Sequence, residues 1–146
     1  VLLYGAAISL GIEMKETGAA AWVATSFLHL LEPFGASDGF GLWAAVSILT
    51  TAVTNMMSNG AAVAVLGPVV LKMAVVAQES PIIIGFITAI SSAFAYLTVV
   101  GTPACTIVYA SGYLKTIDFL VVGWKMALIS IAIMLAAAFL YWPYLV

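Results

Sequence analysis

Long stretches without a single charged side chain constrain this chain more than any other feature. No Asp, Glu, Lys or Arg occurs between Asp38 and Lys72, between Glu79 and Lys115, or after Lys125. Each gap is long enough for a helix of roughly 20 residues to cross a hydrocarbon layer of about 30 Å. A bilayer core offers the backbone no water, so such a segment has to satisfy its own N–H and C=O groups as a helix. A transmembrane barrel fits poorly, because barrel strands alternate polar and apolar residues and these segments do not. Hydrophobic residues make up 65% of the chain and charged residues 7%. A water-soluble domain has about a quarter of its residues charged. The sequence therefore predicts an all-α membrane protein.

A net charge of −2 and the absence of arginine leave no basic patch for nucleic acid. The single cysteine, Cys105, excludes an internal disulfide. The chain opens at Val1 inside an apolar run, with neither an initiator Met nor a charged leader. It is expected to be a piece of a longer protein.

One transmembrane domain is expected over residues 1–146, in four parts. Residues 1–35 form leading helices, of which 19–31 is either a short span or an interfacial helix. Pro33, Gly35 and Gly39 mark a loop. Residues 40–77 hold one uncharged block, 41–71, which at about 1.5 Å per residue is long for a single crossing. Its middle, Thr54-Asn55-Met56-Met57-Ser58-Asn59-Gly60, is polar for bilayer depth. A re-entrant helical hairpin broken at Ser58-Asn59-Gly60 explains both features. Residues 81–114 open at Ser80-Pro81, with serine placed to cap and proline in the first turn. They are interrupted at Gly101-Thr102-Pro103, flanked by Thr98 and Thr106, and are expected to form a discontinuous transmembrane helix. Residues 118–146 form the last transmembrane helix and end in an interfacial aromatic cluster, Tyr141-Trp142-Pro143-Tyr144.

Non-helical backbone is tolerated at membrane depth only where it is buried or lines a cavity. A helix that stops there leaves backbone groups unpaired. Its N-terminal end attracts anions and its C-terminal carbonyls attract cations. Ser58, Asn59 and Thr102 add neutral polar groups, enough to hold a carboxylate or sulfate without lysine or arginine. The competing reading is that Ser, Thr and Asn merely join neighbouring helices. Two interruptions in consecutive uncharged blocks favour a transport site, since broken helices at the midplane are a recurring transporter design.

The run from Thr54 to Ala62, followed by Pro68, resembles the hairpin of the divalent anion/sodium symporter family, whose tip is a Ser-Asn-Thr motif. Gly101-Thr102-Pro103, followed by Ile107-Val108-Tyr109 and Ser111-Gly112-Tyr113, is similar to that family's second motif, in its broken helix. Residues 11–22, with Glu16-Thr17-Gly18, are similar to the segment ahead of the hairpin. The resemblance implies an inverted-repeat transporter of dicarboxylate, citrate or sulfate, sodium-coupled and homodimeric, with this chain as its C-terminal repeat. The missing N-terminal repeat would supply the other half of the site. The resemblance places Ser58, Asn59, Gly60, Thr102 and Pro103 at the small anionic substrate. It places sodium at Thr54, Asn59 and carbonyls near Met57 and Gly101. On the same resemblance sodium would be the coupling ion, with no cofactor, and the setting would be the lipid bilayer of a bacterial-type inner membrane. Gly60 stands where the family has threonine, and Cys105 where an asparagine commonly follows the Thr-Pro pair.

Other residues have plainer expectations. Gly35-Ala36-Ser37-Asp38-Gly39 matches a hydrolase nucleophile pattern but lacks the strand–turn–helix setting and a downstream histidine, so it reads as a capped loop rather than an enzyme site. His29 is expected at an interface, without metal-ligand spacing. Glu13 and Glu16 read as solvated helix-end residues. Lys72 and Glu79 are expected to snorkel toward headgroups, and the small residues from Gly5 to Ser9 to pack against another helix. Lys115 and Lys125 argue for a cytoplasmic turn before the last helix. Two rival functions are a related permease for arsenite or sodium/proton exchange, and a non-transporting membrane fragment. An acidic residue at the breaks would favour proton exchange, and none occurs there.

Overall fold

The computed structural model describes residues 2–36, 38–99 and 101–142. Among them every regular element is helical: α1 (Leu2–Glu16), α2 (Ala19–Leu31), α3 (Gly39–Thr54), α4 (Asn59–Val76), α5 (Pro81–Ser91), α6 (Pro103–Ala110) and α7 (Thr116–Tyr141), with one 3-10 turn at Glu32–Phe34. Ser37 of the nucleophile-like pattern, and Pro143 and Tyr144 of the terminal aromatic cluster, lie outside the described residues.

Helix lengths follow from where the sequence interrupts its apolar runs. α7 has 26 residues and α4 has 18, about 39 Å and 27 Å at 1.5 Å per residue. Among the described residues these two are long and apolar enough to cross a membrane. α5 has 11 residues and α6 has 8, so neither reaches the roughly 20 residues of a span.

The uncharged block 41–71 is divided between α3 and α4, joined by residues 55–58. The interruption thus lies earlier than Ser58-Asn59-Gly60. Ser58 is the N-cap of α4, its hydroxyl accepting a hydrogen bond from the Ala61 N–H at 3.4 Å. Asn59 and Gly60 are already helical, because a serine N-cap starts the helix directly behind it. The far ends of α3 and α4 meet again at Glu79, whose Oε1 accepts the Gly39 N–H at 3.0 Å. Its Oε2 lies 3.4 Å from the Trp43 indole nitrogen, which donates. Glu79 therefore does not simply reach for headgroups. It caps the N-terminus of α3, where backbone donors and the helix dipole both favour a carboxylate. Ser80, expected to cap α5, occupies the N-cap position without a side-chain capping bond, and Pro81 follows in the first turn.

α5 runs in the same direction as α3, from near Glu79 to a junction where Ser92 meets Thr54. Leu42, Trp43 and Val46 of α3, Leu66, Val69, Val70 and Met73 of α4, and Ile83, Ile84 and Ile87 of α5 are buried together. α2 adds Ala20, Ala24 and Leu28 at helical spacing, and α7 closes the core with Ile131, Met134, Leu135 and Ala138. α1 packs along α4, with Gly11 against Pro68, whereas a Cβ added at Gly5 would meet no other helix within 4 Å and Ser9 is exposed. The close approach expected from Gly5 to Ser9 is made by Gly11 instead.

Candidate functional site: two helix interruptions joined by Asn55

At the first interruption, α3 ends at Thr54, which is fully buried. Its hydroxyl lies 2.6 Å from the Ser92 carbonyl oxygen and 3.0 Å from Asn59 Oδ1. A threonine hydroxyl has one hydrogen, so it can donate to only one of these oxygens. The shorter contact takes it. The Asn59 Oδ1 is then left facing the Thr54 oxygen with no hydrogen between them. Three converging neutral oxygens suit a hard monovalent cation.

The second interruption is longer than Gly101-Thr102-Pro103. α5 stops at Ser91 and α6 starts at Pro103. The stretch between carries apolar residues that could continue a helix, yet Phe94, Ala95 and Tyr96 have no regular structure. Asn55 explains why. Its Oδ1 accepts the Leu97 N–H at 2.8 Å, and its Nδ2 donates to the carbonyls of Thr51 at 2.7 Å and Phe94 at 3.3 Å. The Thr98 hydroxyl donates to the Asn55 carbonyl at 2.8 Å. One buried amide thereby supplies partners that a helix would otherwise provide, satisfying the rule that buried backbone groups are paired.

Gly101 sits tightly in this junction. A Cβ there would lie 2.8 Å from Ala95 Cβ and 3.1 Å from both the Ala95 carbonyl oxygen and Thr98 Oγ1. Thr102 is the N-cap of α6, accepting the Cys105 N–H at 3.3 Å, and Pro103 occupies the first turn. Cys105 Sγ lies 3.7 Å from the Ala95 carbonyl oxygen, so its thiol donates within the junction.

The residues expected to contact substrate are therefore placed as two helix starts, each under a hydroxyl cap: Ser58, Asn59 and Gly60 on α4, and Thr102 and Pro103 on α6. Among the described residues no hydrogen bond joins one set to the other, and the link between them runs through Asn55. Ser58 and Pro103 are exposed, while Asn59, Gly60 and Thr102 are half-buried. Of the residues expected around sodium, Thr54 and Asn59 are brought together. Met57 is 37% exposed at the turn, and Gly101 is buried beside Ala95. Asn55, Ser92 and Thr98 complete the junction. Asn55 and Thr98 stand inside or beside the polar runs, but no spacing rule singles out Ser92, which acts through its carbonyl.

His29 pairs with Glu32 at 3.2 Å on the exposed side of α2, and among the described residues no cluster of His, Cys, Asp or Glu could ligate a metal. Any cation held here has to rely on neutral oxygens.

Helices alone among the described residues, two of them long and apolar enough to cross a membrane, define the class: an all-α membrane protein. The family model described as the sodium:sulfate symporter transmembrane region matches residues 1–146, and the chain belongs to that family. Solute carrier family 13 member 1 of Mus musculus is 25% identical over 138 residues, covering 94% of this chain and 23% of that protein. The sodium-dependent high-affinity dicarboxylate transporter 3 of Caenorhabditis elegans is 29% identical over 126 residues, covering 84% of this chain and 21% of that protein. An uncharacterized transporter of Haemophilus influenzae is 26% identical over 147 residues, covering 97% of this chain and 30% of its own length. The chain thus spans less than a third of the relatives it matches. The family is one of integral membrane transporters, not enzymes.

Proposed function

We propose that this chain is the C-terminal repeat of a sodium-coupled symporter of divalent anions, carrying a dicarboxylate, citrate or sulfate. The α3–α4 pair is its re-entrant hairpin and α5–α6 its discontinuous helix. The observation that carries this reading is the junction at Thr54. There the C-terminal ends of α3 and α5 meet, and Thr54 Oγ1, Asn59 Oδ1 and the Ser92 carbonyl oxygen converge. Negative helix ends and neutral oxygens suit sodium. The positive ends of α4 and α6, with Ser58, Asn59, Gly60, Thr102 and Pro103, suit an anion. Sodium bound at Thr54 and Asn59, with carbonyls near Met57 and Gly101, would neutralise part of the substrate charge and hold the α4 start in place. Asn59 would serve both ligands, its Oδ1 turned to the cation and its backbone N–H at the helix start turned to the anion.

The other half of the site would come from an N-terminal repeat of the full-length protein, working as a homodimer in a bacterial-type inner membrane. The test is uptake of labelled succinate, citrate and sulfate into proteoliposomes containing the full-length protein, with sodium or choline outside. One of the three should accumulate only with sodium, and Asn59→Ala should reduce its uptake at least tenfold. Sodium-independent uptake, or unchanged uptake by Asn59→Ala, would overturn the assignment.

A further inference from the structure

α4 is gripped along only part of its length. Leu66, Val69, Val70, Met73 and Ala74 belong to the buried core. Toward the tip of the hairpin only Ala62 is buried, and it stands outside that core. Asn59 is the one polar side chain in residues 59–66, and its Oδ1 faces the Thr54 oxygen without a hydrogen between them. The far end of the hairpin, in contrast, is closed by Glu79 on the Gly39 N–H. α4 thus has a firmly held half and a lightly held half, and the boundary falls at residues 66–69.

The backbone is weakened at that same boundary. Gly67 and Pro68 stand inside α4. Pro68 has no N–H to give the Ala64 carbonyl, and a proline ring crowds the carbonyl four residues back. A proline also crowds the Cβ of the residue before it, and Gly67 has none. Packing does not require that glycine: among the described residues, a Cβ at Gly67 would meet no other helix within 4 Å. Glycine inside a helix is less favourable than alanine, so it is expected where a neighbour needs the space or the backbone needs the freedom. No neighbour takes the space, which leaves the freedom. Gly11 of α1 lies against this turn. A Cβ there would lie 3.0 Å from Pro68 Cγ and 3.6 Å from the Ala64 carbonyl oxygen. α1 therefore touches α4 where the helix lacks a bond, and presents no side chain there to block a change of angle.

We propose that Gly67-Pro68 is a hinge in α4, on which residues 59–66 turn while 69–76 stay in the core, with Gly11 as the surface they turn against. The functional side of this proposal rests on the transport reading given above, because the moving half carries Asn59 and Gly60 directly behind Ser58. An anion at the start of α4 and a cation at Thr54 and Asn59 both hold the moving half, and their release frees it. Leu66, the core residue of that half, lies nearest the hinge, where rotation displaces it least.

Hydrogen exchange of the purified full-length protein tests the hinge without any ligand. Residues 63–66 and 70–74 both lie beyond the first turn of α4, where amides have helical partners. The amides of 63–66 should exchange roughly tenfold faster than those of 70–74. Gly67→Ala and Pro68→Ala, the second of which restores the missing N–H, should each bring the two sets closer. Adding sodium with succinate, citrate or sulfate, whichever the wild type accumulates, should slow 63–66 and leave 70–74 unchanged. In proteoliposomes both variants should lower the maximal uptake rate roughly fivefold. Their unfolding temperatures should stay the same or rise, because alanine is the better helix former at both positions. Equal exchange on the two sides of Pro68 in the wild type overturns the hinge. So do wild-type uptake rates in both variants, or slower uptake accompanied by lower unfolding temperatures, which marks a packing role. A wild type that accumulates none of the three anions overturns the symporter reading instead, and the ligand-free exchange still decides the hinge.

Discussion

Asn55 and Leu97, 42 residues apart in sequence, are joined by a hydrogen bond of 2.8 Å from the Leu97 N–H to the Asn55 side-chain oxygen. This bond, with those to Phe94 and Thr98, fixes the two helix interruptions to each other. The end of α3 thereby holds the chain that leads to the start of α6. The Thr54 hydroxyl adds a second tie, to the Ser92 carbonyl oxygen at 2.6 Å.

Asn55→Ala should therefore be the most damaging substitution at the junction. It leaves the Leu97 N–H and the Phe94 carbonyl without their partner, in a position where Asn55 is only 8% exposed. Each buried group left unpaired costs about 1–3 kcal/mol, so an overall loss of roughly 2–6 kcal/mol is expected. Asn55→Asp keeps the acceptor for Leu97 but places a carboxylate against the Thr51 and Phe94 carbonyls, and should rescue little. Thermal unfolding of the purified full-length protein checks stability. Uptake at saturating and limiting anion should show a fall in maximal rate together with weakened anion binding, since both helix starts lose their relative position.

Gly101→Ala isolates the geometry of the second interruption. The added methyl group would come within 2.8 Å of Ala95 Cβ, closer than carbon atoms pack, and could be accommodated only if residues 95–101 shift. Thr102 and the start of α6 would shift with them. A cost of about 1–3 kcal/mol is expected, with a loss of anion affinity larger than that from Pro103→Ala, which alters an exposed residue. An affinity unchanged by Gly101→Ala would show that the start of α6 does not set the anion position.

The two interruptions differ in how far the sequence reveals them. Ser58-Asn59-Gly60 and Gly101-Thr102-Pro103 are visible because cap formers, glycine and proline stand inside otherwise apolar runs. Their placement was less legible. Ser58-Asn59-Gly60 marks the start of α4, not the middle of a break, as a serine N-cap dictates. The longer interruption after Ser91 carries no local breaker between Phe94 and Leu97, and its conformation is imposed by Asn55 from another helix. The role of Glu79 is hidden for the same reason. Its partner, the Gly39 N–H, lies 40 residues earlier, and a lone carboxylate near a helix end has no sequence mark that distinguishes capping from solvation. The all-helical class needed only charge gaps and hydropathy, which are local sums.

Gly123 on α7 carries a comparable constraint from the other side. A Cβ there would overlap the Tyr96 carbonyl oxygen and lie 2.7 Å from its carbon, and Leu97 Cα would be 3.1 Å away. Only glycine lets α7 approach this backbone. Gly123→Ala is expected to push α7 off residues 96–97 and destabilise the protein by about 1–3 kcal/mol. Ala127, one turn on and also buried, is the control: Ala127→Gly should cost about 1 kcal/mol by helix propensity without displacing α7. A drop in unfolding temperature for Gly123→Ala no greater than that of Ala127→Gly would contradict the close approach.

Glu79 provides the last test, at the end of the hairpin away from Thr54. Its carboxylate accepts the Gly39 N–H at 3.0 Å and faces the Trp43 indole nitrogen at 3.4 Å. Glu79→Gln keeps one side-chain oxygen but removes the charge that complements the positive end of α3, a term of about 0.3–1 kcal/mol. Glu79→Ala removes both acceptors and should cost about 1–2 kcal/mol, as loss of a helix cap does. Trp43→Phe removes only the indole donor. In a Glu79→Ala background it should add less than it does alone, because the partner is already gone. Measured as unfolding temperatures across the four proteins of that cycle, full additivity would mean that Glu79 and Trp43 do not interact, and the closure would then rest on the Gly39 backbone alone.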